Sequence, residues 1–107
     1  MAKVIKGEDI VLVAYVRTPN GQAFPLTGAT AIEVKIPNAS GGTISKTLSG
    51  GTISIISASD GQIGITISDS DDLKVAQNQQ LEVIVDFGTT RRIFRLVDTL
   101  DVLAQLF

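Results

Sequence analysis

A chain of 107 residues, 44% of them hydrophobic, is long enough to bury roughly 60–70% of its unfolded surface around one core without a disulfide or a metal. It has no His and no Cys, which removes the usual general base, the thiol nucleophile and nearly every zinc or haem arrangement. Nine basic against eleven acidic residues leave a net charge of −2, which argues against a nucleic-acid partner.

The longest apolar run, Ile10 to Val16, is far too short for a membrane span, so no membrane partner is expected. Lys3 and Lys6 precede that run, but Glu8 and Asp9 intervene and Arg17 ends it without a small-residue cleavage site. The expectation is a product made in the cytoplasm without a signal peptide. Zero Cys agrees with a reducing compartment.

The composition is rich in Ile, Val, Leu, Thr and Gly and poor in aromatics, which favours sheet. Residues 9 to 17 are apolar on both faces, as in a strand covered on both sides, by the rest of the domain and by a neighbouring subunit. Thr18-Pro19-Asn20-Gly21 is a turn. In 30 to 36, Ile32, Val34 and Ile36 face in while Glu33 and Lys35 face out, and Pro37 ends the strand. A weaker Thr/Ser-rich strand over 43 to 48 belongs at an edge, where Lys46 would discourage edge-to-edge aggregation.

After Gly50-Gly51, a strand over 52 to 57 leads into an alternating strand with Ile63, Ile65 and Ile67 on one face. A three-residue Ser59-Asp60-Gly61 loop, with Gly61 left-handed, would set Ile55 opposite Ile65 and Ile53 opposite Ile67. The acidic link from Ser68 to Gln79 is read as a crossover containing one short helical turn, capped by Ser68 or Ser70 and favoured by Asp71 and Asp72.

The last hairpin turns at Gly88-Thr89. That turn pairs Glu82 with Arg95, Ile84 with Ile93 and Asp86 with Arg91 on one face, and Leu81 with Leu96 and Val83 with Phe94 on the other. The count is about seven antiparallel strands, the number of an immunoglobulin-like β-sandwich. Residues 1–107 form one all-β domain on this reading. Residues 98 to 107 fit either a helical face or a further strand, and their apolar end is read as a C-terminal assembly tail. The residues expected at an interface are Leu100, Val102, Leu103, Leu106 and Phe107, with Val11, Val13 and Tyr15 from the first strand.

Other constellations give no chemistry. Ser45-Lys46 and Lys46-Thr47 are neighbours on a strand and point to opposite faces, so no Ser–Lys hydrolase pair forms. Asp69-Ser70-Asp71-Asp72 resembles a calcium ligand run, but Lys74 and Gln80 stand where an EF-hand loop needs Gly and Glu. Gly41-Gly42 and Gly50-Gly51 read as turns, not phosphate cradles. Arg91, Arg92 and Arg95 suggest an anion site, yet pairing with Asp86 and Glu82 accounts for two of the three. No catalytic residue, metal or cofactor is expected.

Three stretches together resemble a known family. They are Leu26-Thr27-Gly28-Ala29-Thr30 leading into I-E-V-K-I, then Asp60-Gly61-Gln62-Ile63 opening a strand that ends at Ser68-Asp69-Ser70-Asp71, and finally R-R-I-F-R-L-V over 91 to 97. Their order is similar to that of small immunoglobulin-like domains of tailed-phage virions, such as the N-terminal domain of phage baseplate upper proteins, over residues 8 to 98. The resemblance implies a non-enzymatic structural subunit of a baseplate, tail, neck or capsid decoration. Its partners would be other virion structural proteins and further copies of itself, and its location the virion. The alternative is a glycan- or host-surface-recognition module, against which stands the shortage of aromatics: one Tyr and no Trp.

Overall fold

The computed structural model describes residues 2–96 and 99–104. Leu106 and Phe107, expected at an interface, lie outside the described residues. Ten strands follow one another among those described: β1 (Ala2–Ile5), β2 (Ile10–Tyr15), β3 (Ala31–Pro37), β4 (Thr43–Thr47), β5 (Ile53–Ser57), β6 (Gln62–Ile67), β7 (Ala76–Gln79), β8 (Glu82–Asp86), β9 (Arg91–Arg95) and β10 (Leu100–Leu103). They form three sheets, ordered β2-β6-β5, β4-β3-β8-β9 and β1-β10-β7. All pairs are antiparallel except β1 with β10.

Alternation explains the packing. In β2, Leu12 and Ala14 are buried while Val11 and Val13 are not; in β6, Ile63, Ile65 and Ile67 are buried. Ile32, Val34 and Ile36 of β3, Val83 and Val85 of β8 and Phe94 of β9 come from the facing sheet into the same hydrophobic cluster. Val4, Leu100 and Val102 add the third sheet to it. The arrangement is all-β and sandwich-like, with one continuous core.

The seven strands expected from periodicity are β2 to β6, β8 and β9, and the hairpin register agrees pair by pair. Glu82 faces Arg95, Val83 faces Phe94, Ile84 faces Ile93 and Asp86 faces Arg91. The Leu96 N–H also donates to the Leu81 carbonyl at 2.8 Å.

The β5–β6 register differs from expectation. Ile53 opposes Ile65 and Ile55 opposes Ile63, two residues away from the anticipated pairing, with a bulge between Ile55 and Ser57. The turn is set by a contact outside the hairpin. Gly61 has φ +67°, and a Cβ there would lie 2.6 Å from the carbonyl oxygens of both Val16 and Phe24. Its own carbonyl accepts the Val16 N–H at 2.8 Å. Packing against the Val16 and Phe24 backbone fixes where the loop ends, and the bulge absorbs the extra residue.

The 68–79 link holds no helix; a hydrogen-bonded turn from Ser68 to Asp71 is followed by extended chain. Ser68 and Asp71 close on each other: the Ser68 N–H donates to Asp71 Oδ2 at 2.8 Å, and the Asp71 N–H donates to the Ser68 carbonyl at 3.1 Å. The chain then lies against the end of β3. Ala39 N–H donates to the Asp72 carbonyl at 2.9 Å, Lys74 N–H to the Pro37 carbonyl at 3.3 Å, and Leu73 is buried beside Asn38. Backbone partners on β3, and then on β10 through β7, take the donors that a helix would have satisfied internally.

One further expectation holds by an unanticipated route and another is corrected. Lys46 stands on an edge strand, as expected. Its register partner is the inward-facing Val34, so it points into the core, and its Nζ meets Asp71 Oδ2 at 2.6 Å with side chains 5% and 15% exposed. An inward-pointing charge still protects an edge, by a different route. The segment 100–103 is not a free assembly tail, because Leu100 and Val102 belong to the domain's own core and β10 is hydrogen-bonded on both sides.

Breaking the buried pair should be costly. Asp71→Ala strands the Lys46 ammonium and should lower the urea-unfolding free energy by about 3 kcal/mol. Lys46→Met combined with Asp71→Ala should recover most of that loss. Equal loss in the single and double variants would show that the pair is not what matters. In the core, Ile65→Ala should cost about 2–4 kcal/mol in the same assay, because both sheets close over that side chain.

Candidate docking surface

The outer side of the β2-β6-β5 sheet is built by the residues that alternate with the core set. β2 contributes Val11, Val13 and Tyr15, β6 contributes Gln62, Gly64 and Thr66, and β5 contributes Ser54 and Ile56. Val11 is 56% exposed, Val13 48% and Ile56 51%. No charged side chain lies within this set.

Gly64 sits at its centre, paired with Val13 on one side and Ser54 on the other. A Cβ on Gly64 would stand 3.0 Å from Ser54 Oγ, 3.2 Å from Val11 Cγ1 and 3.4 Å from Ile56 Cδ1. Those three side chains therefore lean in over the glycine. The middle of the face is closely knit, with the glycine itself buried beneath them.

At one end, Gln62 Nε2 donates to Tyr15 Oη at 3.0 Å, and the Arg17 guanidinium lies 4.9 Å from the Tyr15 ring centre. Both the hydroxyl and one ring face of the single Tyr are engaged within the chain. At the other end, Asp9 Oδ1 accepts the Asp69 N–H at 2.7 Å.

The structure thus brings together Val11, Val13 and Tyr15 from the expected interface set. Leu103 lies in another sheet, opposite Ile5, and both are partly exposed. Ile56 and Gly64 were not anticipated. The adjacent pair Ile55-Ile56 carried the signal for the first, since neighbouring residues in a strand cannot both face inward.

The acidic link has other tasks. Asp71 holds Lys46, Asp72 Oδ1 holds Lys6 Nζ at 2.9 Å, and the Asp69 N–H is tied to Asp9. Among the described residues no group of three or more His, Cys, Asp or Glu side chains is placed to hold a metal ion.

The arginines divide. Arg92 lies over two rings, 5.5 Å from the Phe24 centre and 5.3 Å from that of Phe94. Arg91 and Arg95 stand opposite Asp86 and Glu82 in register. The ion pairs among the described residues are nonetheless those of Lys6 and Lys46. Asp86 Oδ1 instead accepts the Gly88 N–H at 2.7 Å, and Arg95 Nη1 donates to Gln80 Oε1 at 3.4 Å.

A scan against protein-family models finds no match, and a search of curated proteins finds none either. The functional reading therefore rests on the surface itself and on the chain's own sequence.

Since lysines occupy the Asp71 and Asp72 carboxylates, EDTA should leave the thermal midpoint unchanged, and added Ca²⁺ should not raise it. A chelator-induced drop reversed by Ca²⁺ would establish a metal site at 69–72.

Proposed function

We propose that the chain is a non-enzymatic structural subunit of a bacteriophage particle, in the baseplate, tail, neck or capsid decoration. It works by docking to other virion structural proteins and to copies of itself, and resides in the virion after synthesis in the host cytoplasm. The observation that carries the docking part is the uncharged outer face of β2-β6-β5, where Val11, Val13 and Ile56 surround a central glycine. Contiguous exposed apolar groups on a small domain are the usual mark of an interaction surface.

Strand order supports the immunoglobulin-like part of the reading. Taking β2 to β6 as strands B, C, C′, D and E, and β8 and β9 as F and G, gives B-E-D in one sheet and C′-C-F-G in the other. β1, β7 and β10 are additions to that plan. The phage attribution rests on the sequence resemblance described above, carried by residues 26–36, 60–71 and 91–97.

The competing reading, a glycan- or host-surface-recognition module, has less support. A sugar site needs an aromatic ring free to stack, and Tyr15 is covered by Arg17 and bonded to Gln62.

The test is a variant of an exposed residue. Val13→Glu should leave stability within about 0.5 kcal/mol of the parent, because Val13 contributes to no core. It should also be excluded from assembled phage particles. Incorporation at the parent level would overturn the docking reading, and selective retention on a glycan array would favour the alternative.

A further inference from the structure

The outer face of β2-β6-β5 is polar along its length although it is uncharged in the middle. Asp9 directly precedes β2 and Arg17 follows it, and both continue the alternation of Val11, Val13 and Tyr15. Arg17 stacks on Tyr15, which keeps the guanidinium at the rim of this face. Asp9 holds the opposite rim, close to the Asp69 backbone. Beyond them the asymmetry continues. Arg95 lines the same surface depression as Arg17, while Glu8 precedes Asp9 in the chain and the Asp69 backbone is bonded to it. Asp60, two positions before Gln62, lies toward the Arg17 end, and its carboxylate accepts the Ser57 hydroxyl at 3.3 Å.

This pattern is self-complementary under one symmetry operation. The geometry points to a second copy of the chain as the occupant of the face, packed sheet against sheet about a two-fold axis that lies between the sheets and runs across their strands. That axis reverses strand direction, so Asp9 of each copy meets Arg17 of the other and the contact is made twice. A two-fold parallel to the strands would instead set Asp9 against Asp9 and Arg17 against Arg17, which like charges disfavour. The cross-strand axis also lays Gly64 over Gly64, so the Val11, Ser54 and Ile56 side chains that lean over each glycine meet around the axis. The inference rests on the reading that this face docks, and it names the partner.

The experiment is sedimentation equilibrium of the full chain over a dilution series, with thermal unfolding recorded on every variant. The parent should sediment at twice the chain mass and dissociate on dilution. Arg17→Asp and Asp9→Arg should each raise the dimer dissociation constant roughly tenfold, since each removes two rim contacts and creates two repulsions. The double reversal should restore it. Asp9 also accepts the Asp69 N–H, so if Asp9→Arg fails to fold, Arg17→Asp and Gly64→Arg carry the test. The first leaves that bond intact. The second places its bulk against side-chain ends that can give way, and should abolish the dimer.

A parent that stays monomeric throughout, a dimer indifferent to Gly64→Arg, or a double reversal that fails to restore association would each overturn the inference. If the parent is monomeric yet Val13→Glu is still excluded from particles, only this inference fails. If Val13→Glu enters particles normally, the docking reading fails with it.

Discussion

The buried contact between Lys46 Nζ and Asp71 Oδ2 is the constraint on which the layout of the molecule depends. Lys46 belongs to the edge strand of the four-stranded sheet, and Asp71 belongs to the link that leaves the three-stranded sheet at Ser68. The same carboxylate oxygen accepts the Ser68 N–H, so one atom ties the end of β6 to β4. Around it, Asp72 reaches Lys6 just after β1, and Leu73 pairs with Asn38 at the end of β3. A link that composition marks as polar surface therefore acts as a clasp across one end of the sandwich. Asp71 is there because the buried Lys46 ammonium needs a counter-charge.

The parts of this structure that were legible in the sequence are those where a wrong answer would have put unlike residues together. In the β8–β9 hairpin any slip moves Glu82 or Asp86 away from an arginine and an apolar residue away from an apolar one, so the register follows from the pairing alone. In β5–β6 the isoleucines at 53, 55, 63, 65 and 67 are interchangeable. A two-residue slip keeps every one of them on the same face, and nothing local selects between the registers. The choice is made by the Val16 and Phe24 backbone closing on Gly61, a contact from another part of the chain.

Lys46 and the C-terminal strand show a different limit. Lys46 shares its parity with Ile44 and Leu48, both of which pack against the core, so the period-two pattern placed it inside. The acid that receives its charge lies 25 positions further on, so nothing local signals the buried pair. For residues 100 to 103, alternation allowed a strand but offered no neighbour to complete it. Its two partners are β1, at the other end of the chain, and β7, where Asn78 takes a φ of +57° and its N–H donates to Asp101 Oδ1 at 2.8 Å. A short strand whose pairing is entirely non-local leaves little trace in its own residues.

The two faces of β2 then separate what folds the domain from what remains available to a partner. Leu12, Ala14 and Val16 go to the core, and the clasp and the β1-β10-β7 sheet cover much of the rest. With Leu100 and Val102 drawn inside, the apolar character that looked like an assembly tail is largely accounted for by the domain itself. The same accounting does not absorb Val11, Val13 and Ile56. Edge strands can shed apolar residues at no cost to the core, yet two of these stand on β2 and one on β5, on either side of the central β6. Gly64, between them, has no left-handed φ to explain its choice. A side chain would add β propensity, since glycine weakens a strand interior, but its Cβ would stand 3.0 Å from Ser54 Oγ, 3.2 Å from Val11 Cγ1 and 3.4 Å from Ile56 Cδ1. What glycine supplies at that position is room for those three side chains to close over the strand, which leaves one continuous uncharged face.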